Sequence, residues 1–235
     1  MVQNFINRRV GKASAFPQKK KAAFTLAEVL ITLGIIGIVA AMTLPTIITK
    51  YQKQVTQNKL KKFYSVMTQA IKLSEVENGD YPNWAPTSED ARSSENFEKW
   101  YNQYLDKYII SINKKKLDNI DFQVGFKDGS GFVAYIMDSG SLAIFYCTDL
   151  KYCGAEKFDG KVTFLFYLSK NSKGYFYGGG FGQSRQVLLD GCKYGNFDNP
   201  DVSSAGRRHY CAGLIQTDGW EIKDDYPWEQ IMIEK

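Results

Sequence analysis

The sequence predicts an α+β fold, in which a long amino-terminal helix, membrane-spanning in its first half, packs on an antiparallel β-sheet. Three observations predict it. Residues 29–49 run for 21 positions without a charged side chain. Apolar residues then recur at every third or fourth position up to Asn78, the spacing of one helix face. Beyond residue 120 the period shortens to that of strands, with turn residues between the runs. Strands that follow helices as a block favour α+β over an alternating α/β chain.

Charge divides the chain in the same places. Residues 1–23 hold six bases (Arg8, Arg9, Lys12, Lys19, Lys20, Lys21) and no acid. Residues 24–72 hold one acid, Glu28, and six lysines, whereas 73–235 hold 18 bases and 24 acids. The net charge of +5 over 235 residues is therefore a basic head and stalk offset by an acidic body. An acidic body argues against nucleic acid as a general partner, although Arg207-Arg208 and 114–116 are local basic patches. A single histidine, His209, excludes multi-histidine metal sites. It reads as a surface or disulfide-flanking side chain.

A 21-residue uncharged helix spans about 30 Å, the thickness of a bilayer's hydrocarbon core. The run is too long for a signal-peptide core. The lysines just before it place the amino terminus on the cytoplasmic side and the body outside. Glu28 is the odd residue, because a carboxylate deep in a membrane costs about 2.5 kcal/mol or more and such groups are usually functional. After Thr49, the side chains of Leu60, Phe63, Tyr64, Met67, Ala70, Ile71 and Ser74 form an apolar stripe that ends at Asn78-Gly79-Asp80, a helix stop. One helix over 24–77 would be about 80 Å long. Its lysines read as a solvated or lipid-headgroup face.

In the body, 79–93 is a turn-rich connection. Ser94 caps a helix whose stripe is Phe97, Trp100, Tyr101, Tyr104, Leu105 and Tyr108, read as core packing. Lys114–Lys116 reads as a loop. Strands follow at 121–127, 132–138, 142–148 and 161–169, with hairpin turns at 127–130 and 138–141. Residues 171–184 read as a loop or irregular edge, and Gly178–Gly180 with Gly182 as a flexible turn lacking a phosphate-loop pattern. Residues 218–222 read as a short strand or turn before a Trp-rich tail. No constellation announces catalysis, so no catalytic residue is assigned.

The string Lys19-Lys20-Lys21-Ala22-Ala23-Phe24-Thr25-Leu26-Ala27-Glu28-Val29-Leu30-Ile31 resembles the class III signal of type IV prepilins and type II secretion pseudopilins, over about residues 15–75. The resemblance implies a pilin-like fold with a four- or five-stranded sheet. It implies cleavage by a prepilin peptidase between Ala23 and Phe24, and methylation of the new amino group of Phe24. The family usually has glycine before the cut; here Ala23, also small, takes that place. Glu28 would pair with the amino-terminal ammonium of a neighbouring subunit during assembly, and Pro45 matches the helix-kinking proline. Gly34 and Gly37 suit close helix approach. The domains are then a basic leader (1–23), a membrane or fibre-core half-helix (24–49), an amphipathic half-helix (50–78) and an extracytoplasmic body (79–235).

The expected partners are other pilin or pseudopilin subunits, the peptidase, an inner-membrane assembly platform, and lipid before assembly. The implied role is a structural subunit of a type IV pilus or type II pseudopilus; the alternative is a minor pilin that binds a ligand or DNA. In an extracytoplasmic body the four cysteines point to disulfides. Three pairings are open, and Cys147–Cys153 with Cys192–Cys211 is favoured because each closes a local loop, as pilins commonly do near the carboxy terminus. The spacing lacks C-x2-C, so no zinc site is expected. No cofactor is expected either, with one minor candidate. Some major pseudopilins hold calcium in a carboxy-terminal loop, and Asp190, Asn196, Asp198 and Asp201 (beside Asn199) are oxygen donors in such a loop, at a spacing that fits no EF-hand.

Overall fold

Helix α1 runs from Leu26 to Asn78 and contains Pro45. It belongs to a computed structural model that describes residues 25–154, 159–171, 175–195 and 208–230. The chain divides into two compact units, one ending at Ile47 and the other beginning at Ile48. The predicted leader, 1–23, and Phe24 lie outside the described residues.

In the second unit α1 buries Thr56, Leu60, Phe63, Met67, Ala70, Ile71 and Ser74. This is the predicted stripe, with Tyr64 packed at its edge. The helix stops where Gly79 takes a φ of 79°, a left-handed conformation that glycine adopts without a Cβ penalty. Phe63 sits at the centre of the core. It stacks on Tyr146 at 4.2 Å and meets Phe132, Phe166 and Phe176 within 6 Å.

The sheet has six antiparallel strands in sequence order: β1 (Asn113–Lys116), β2 (Phe122–Gly125), β3 (Gly131–Ile136), β4 (Leu142–Cys147), β5 (Thr163–Leu168) and β6 (Phe176–Gly178). Alternate residues of one face (Phe132, Ala134, Ile136, Leu142, Ile144, Tyr146, Phe164, Phe166, Leu168) join the α1 stripe in one core. The other face carries a smaller cluster of Ala143, Phe145 and Leu165, flanked by Tyr135, Met137 and Tyr167.

The two extra strands correct the four- or five-stranded expectation. Lys114–Lys116 is strand, not loop. Three consecutive lysines hide the strand period because the stabilisation is not apolar: Lys114 reaches Asp106 at 2.7 Å and Lys116 reaches Glu98 at 3.3 Å, while the backbone pairs with β2. Lysines on an exposed edge also discourage pairing with another sheet. Strand β6 supplies the opposite edge from within the segment read as irregular.

Helix α2 (Ser94–Tyr104) lays Phe97, Trp100 and Tyr101 into the core, as its period predicts. Its cap is Ser93, one residue earlier than expected. The Ser93 hydroxyl accepts from the Asn96 amide, and Ser94 instead donates to the Asp118 carbonyl. Trp100 and Trp84 are both buried, with the Trp100 indole N–H donating to the Trp84 carbonyl at 2.8 Å.

Two short helices, α3 (Arg185–Tyr194) and α4 (Cys211–Thr217), complete the body. Sequence patterning left both unassigned. Of the glycines before them, Gly178 and Gly179 are packing residues, whereas Gly182 meets nothing within 4 Å and lies in a turn. A Cβ on Gly178 would lie 2.6 Å from the backbone of Ala212, and one on Gly179 would lie 2.2 Å from the His209 carbonyl oxygen. The residues that follow α4 form turns rather than a strand. Arg185 clamps them, reaching Asp218 and Asp225 at 2.7 Å each. The bonds to Asp225 and Asp218 favour the charged guanidinium. Burial alone would raise the Asp218 carboxyl, but Arg185 and Lys223 hold it low.

Polar ties fix the amphipathic part of α1 to the sheet. Lys62 pairs with Asp128 in the β2–β3 turn at 3.0 Å. Burial would raise the Asp128 carboxyl, but hydrogen bonds from Ser130 and Lys62 outweigh it and hold it at about 2. Lys107 pairs with Glu77 near the end of α1.

Candidate functional site

The start of α1 carries the chemistry that the sequence singled out. Thr25-Leu26-Ala27-Glu28 is a Thr-x-x-Glu capping box, in which cap and third residue satisfy each other's backbone donors. The Glu28 amide donates to the Thr25 hydroxyl oxygen at 3.2 Å. In return, one Glu28 carboxylate oxygen accepts from both the Thr25 amide and the Thr25 hydroxyl at 2.8 Å. That amide belongs to the peptide bond joining residues 24 and 25. The carboxylate is therefore held on the backbone nitrogen of Thr25, which follows in sequence the residue whose nitrogen cleavage would turn into an ammonium. Sequence reasoning identified Glu28 but missed Thr25, although the four-residue spacing of a capping box was available to find it.

From this cap to Ile48, α1 exposes its apolar side chains on every side. Leu26, Leu30, Ile31, Ile36 and Met42 are each more than 60% exposed. The helix is long and apolar enough to cross a membrane. An apolar cylinder of this extent has no stable place in water and marks a membrane or a helix partner. A Cβ at Gly34 or Gly37 would meet nothing within 4 Å, so each leaves an open notch on the helix surface. Pro45 lies inside the helix and removes one backbone donor there.

The remaining predicted residues lie in the body. Cys147 bonds to Cys153 and Cys192 to Cys211, with Cα separations of 5.5 Å and 4.6 Å. The second disulfide ties α3 to the first residue of α4, and both cysteines are fully buried. Replacing both with alanine should cost about 3 kcal/mol, from the freed loop entropy in the chain-entropy model. The equivalent change at Cys147 and Cys153, which close a shorter loop, should cost about 2 kcal/mol. Thermal unfolding of the two double variants against the parent checks the order.

Of the calcium candidates, Asp190 is described, and both of its carboxylate oxygens accept from Gln186 at 3.1 Å. Asn196, Asp198 and Asp201 lie outside the described residues. Among the described residues, no three His, Cys, Asp or Glu side chains gather as a metal site.

Two family models match the chain. Residues 18–44 match the prokaryotic N-terminal methylation motif, which covers Ala23, Phe24, Thr25 and Glu28. Residues 46–229 match a family described as a family of unknown function (DUF6613). No curated protein and no solved structure matches the chain. The motif, followed by a long apolar helix and a six-stranded antiparallel sheet, fits a type IV pilin or pseudopilin.

Proposed function

The chain belongs to the family of unknown function (DUF6613), and from that premise we propose that it is a fibre-forming subunit of a type IV pilus or a type II secretion pseudopilus. The methylation motif supports the coarser part of this reading, a pilin-type substrate of a prepilin peptidase and a structural subunit rather than an enzyme. The observation that carries the finer part is the juxtaposition at the head of α1. A helix-capping carboxylate bonds the amide of Thr25, two positions in sequence after the predicted cut, at the head of an apolar helix that is exposed among the described residues.

The mechanism follows from charge and burial. Lys19–Lys21 keep the amino terminus on the cytoplasmic side while the apolar helix inserts, which leaves the body on the other side. Cleavage after Ala23 removes six positive charges and creates an ammonium at Phe24. The mature side chains then hold 24 bases and 25 acids, so the precursor's basicity is a topology signal that processing discards. During extraction the Glu28 carboxylate of one subunit meets the Phe24 ammonium of the next, an ion pair that lipid cannot supply. Helices then pack side by side, with Gly34 and Gly37 permitting close approach, and Pro45 adjusts the helix direction.

Co-expression with a prepilin peptidase tests the first step. Mass spectrometry should find a mature chain that begins at methylated Phe24. Retention of residues 1–23, or a cut elsewhere, would overturn this reading.

A further inference from the structure

A groove of about 510 Å³ lies between the amphipathic part of α1 and the β2–β3 turn. Val66 and Leu73 line it from the helix, and Phe126 and Tyr146 from the sheet. Ile110, in the chain before β1, also lines it and is 90% exposed. Apolar surface left open in this way marks an interaction site. The charged lining is Lys59, Lys62, Lys127 and Asp128. Asp128 pairs with Lys62 at 3.0 Å, and Lys59 donates to the neutral Thr148 carbonyl. Three lysines against one aspartate leave a surplus of two positive charges, with Lys127 exposed at the turn. Acids nearby do not cancel this surplus. Glu77 is paired with Lys107 beside Tyr108. Asp149 comes near the same turn through the bond from the Leu150 amide to the Gly129 carbonyl, but Lys151 accompanies it.

A surface of opposite character lies at the other end of β2. Strand β2 separates the β1–β2 turn (117–121) from the β2–β3 turn, and its four residues alone span about 10 Å. Leu117 and Ile120 are exposed apolar side chains on the first turn, on either side of Asp118. One Asp118 carboxylate oxygen accepts from the Ile120 and Asp121 amides at 2.7 Å each. Those bonds hold the carboxyl below its ordinary value. The donors are neutral, so Asp118 keeps its charge. The charges around it pair with one another, Lys116 with Glu98 and Lys99 with Glu95. Lys115 projects from the opposite face of β1 to Lys114 and Lys116. Asp121 has a contact of its own, so Asp118 is the anion of this turn. The turn is also tied down: the Ser94 amide donates to the Asn119 carbonyl at 2.8 Å and the Ser94 hydroxyl to the Asp118 carbonyl at 2.7 Å.

We propose that the β1–β2 turn of one copy of this chain docks into the groove of a second copy, with Leu117 and Ile120 on the apolar lining and Asp118 facing Lys127. Plug and socket are different surfaces at opposite ends of one strand. The contact is therefore heterologous, and it repeats head to tail as an open filament instead of closing as a symmetric pair. The inference rests on the fibre reading above and adds to it a contact between bodies, beside the packing of apolar helices.

The test uses fibres sheared from cells that make the full chain with a prepilin peptidase and an assembly system. A carbodiimide joins a carboxylate to a lysine amine with loss of water. Peptide mapping of the covalent dimer should find Asp118 joined to Lys127, a link that β2 keeps out of reach within one chain. Fibres that lack this link, or that join Lys127 to another acid instead, overturn the proposal. Lys127→Glu should lower fibre yield about tenfold by setting like charges together. In an Asp118→Asn background, where the side-chain oxygen still accepts from the Ile120 and Asp121 amides, the same substitution should lower it only about twofold. A fold defect would act alike in both backgrounds, so equal losses also overturn the proposal. Fibres without the link or the coupling remove this inference alone. If the parent chain enters no fibre, the fibre reading falls and takes this inference with it.

Discussion

Glu28→Ala is expected to block incorporation into fibres while leader removal continues. Cleavage needs the motif around Ala23 and Phe24, which the substitution leaves in place. On the proposed reading, assembly needs a negative charge inside a bundle of apolar helices, and Glu28 is the one acid between residues 1 and 72. Within its own chain the carboxylate is met by neutral donors, the Thr25 amide and hydroxyl. Such donors stabilise an anion near a helix start but do not neutralise it. In the assembly proposed above, an ammonium from a neighbouring subunit would do both. Losing the capping box costs about 1 kcal/mol, too little to undo a 53-residue helix. Glu28→Gln separates the two roles. Its amide oxygen can still accept from Thr25, so the cap survives while the charge goes. Both variants should therefore be processed normally and both should lose nearly all fibre incorporation, as read by sheared-fibre yield and subunit occupancy. Normal yield from either would remove the charge-pairing role.

Which features were legible in the sequence follows from which forces leave a period. The α1 stripe and the central strands bury one face each, and burial at fixed spacing is what a one-dimensional pattern records. Strand β1 buries nothing apolar; backbone pairing and the Lys114–Asp106 and Lys116–Glu98 contacts hold it, and neither leaves an alternation. Helices α3 and α4 are short, and each contains a glycine that propensity alone counts against a helix. In α4 the reason is steric: a Cβ on Gly213 would lie 2.3 Å from the Gly179 carbonyl oxygen. The Gly-rich segment and α4 thus explain each other, and only in three dimensions. At the functional end the balance differs. Basic leader, small residue, Phe24, Glu28 and apolar run are local features read by enzyme and membrane as a linear signal. The bond from Lys59 to the Thr148 carbonyl is the opposite case, since the two residues are 89 positions apart and only the fold brings them together.

Phe63→Ala is expected to cost about 4 kcal/mol of body stability, a large share of the roughly 5–15 kcal/mol that holds a domain of this kind together. The side chain is 3% exposed and lies where the helix stripe meets the sheet. It stacks on Tyr146 of β4 and packs edge-on against Phe166 of β5 and Phe176 of β6. Further rings, Phe126 and Phe132, lie within about 6 Å. Alanine would leave a cavity walled by five aromatic rings, which are too rigid to close it. Phe63→Leu keeps most of the burial and should cost about 1.5 kcal/mol. Thermal unfolding of the detergent-solubilised chain distinguishes the two. An alanine variant as stable as the leucine variant would mean that the body does not depend on this contact. The alanine variant should still insert and be cleaved, because residue 63 lies outside the methylation motif at 18–44. It should then fail later, when the destabilised body opens more often and exposes the sheet face that α1 covers. Glu28→Ala fails in the fibre with an intact body, and Phe63→Ala fails in the body with an intact amino-terminal signal. Loss of fibres alone does not distinguish them, but a folded body beside a processed amino terminus does.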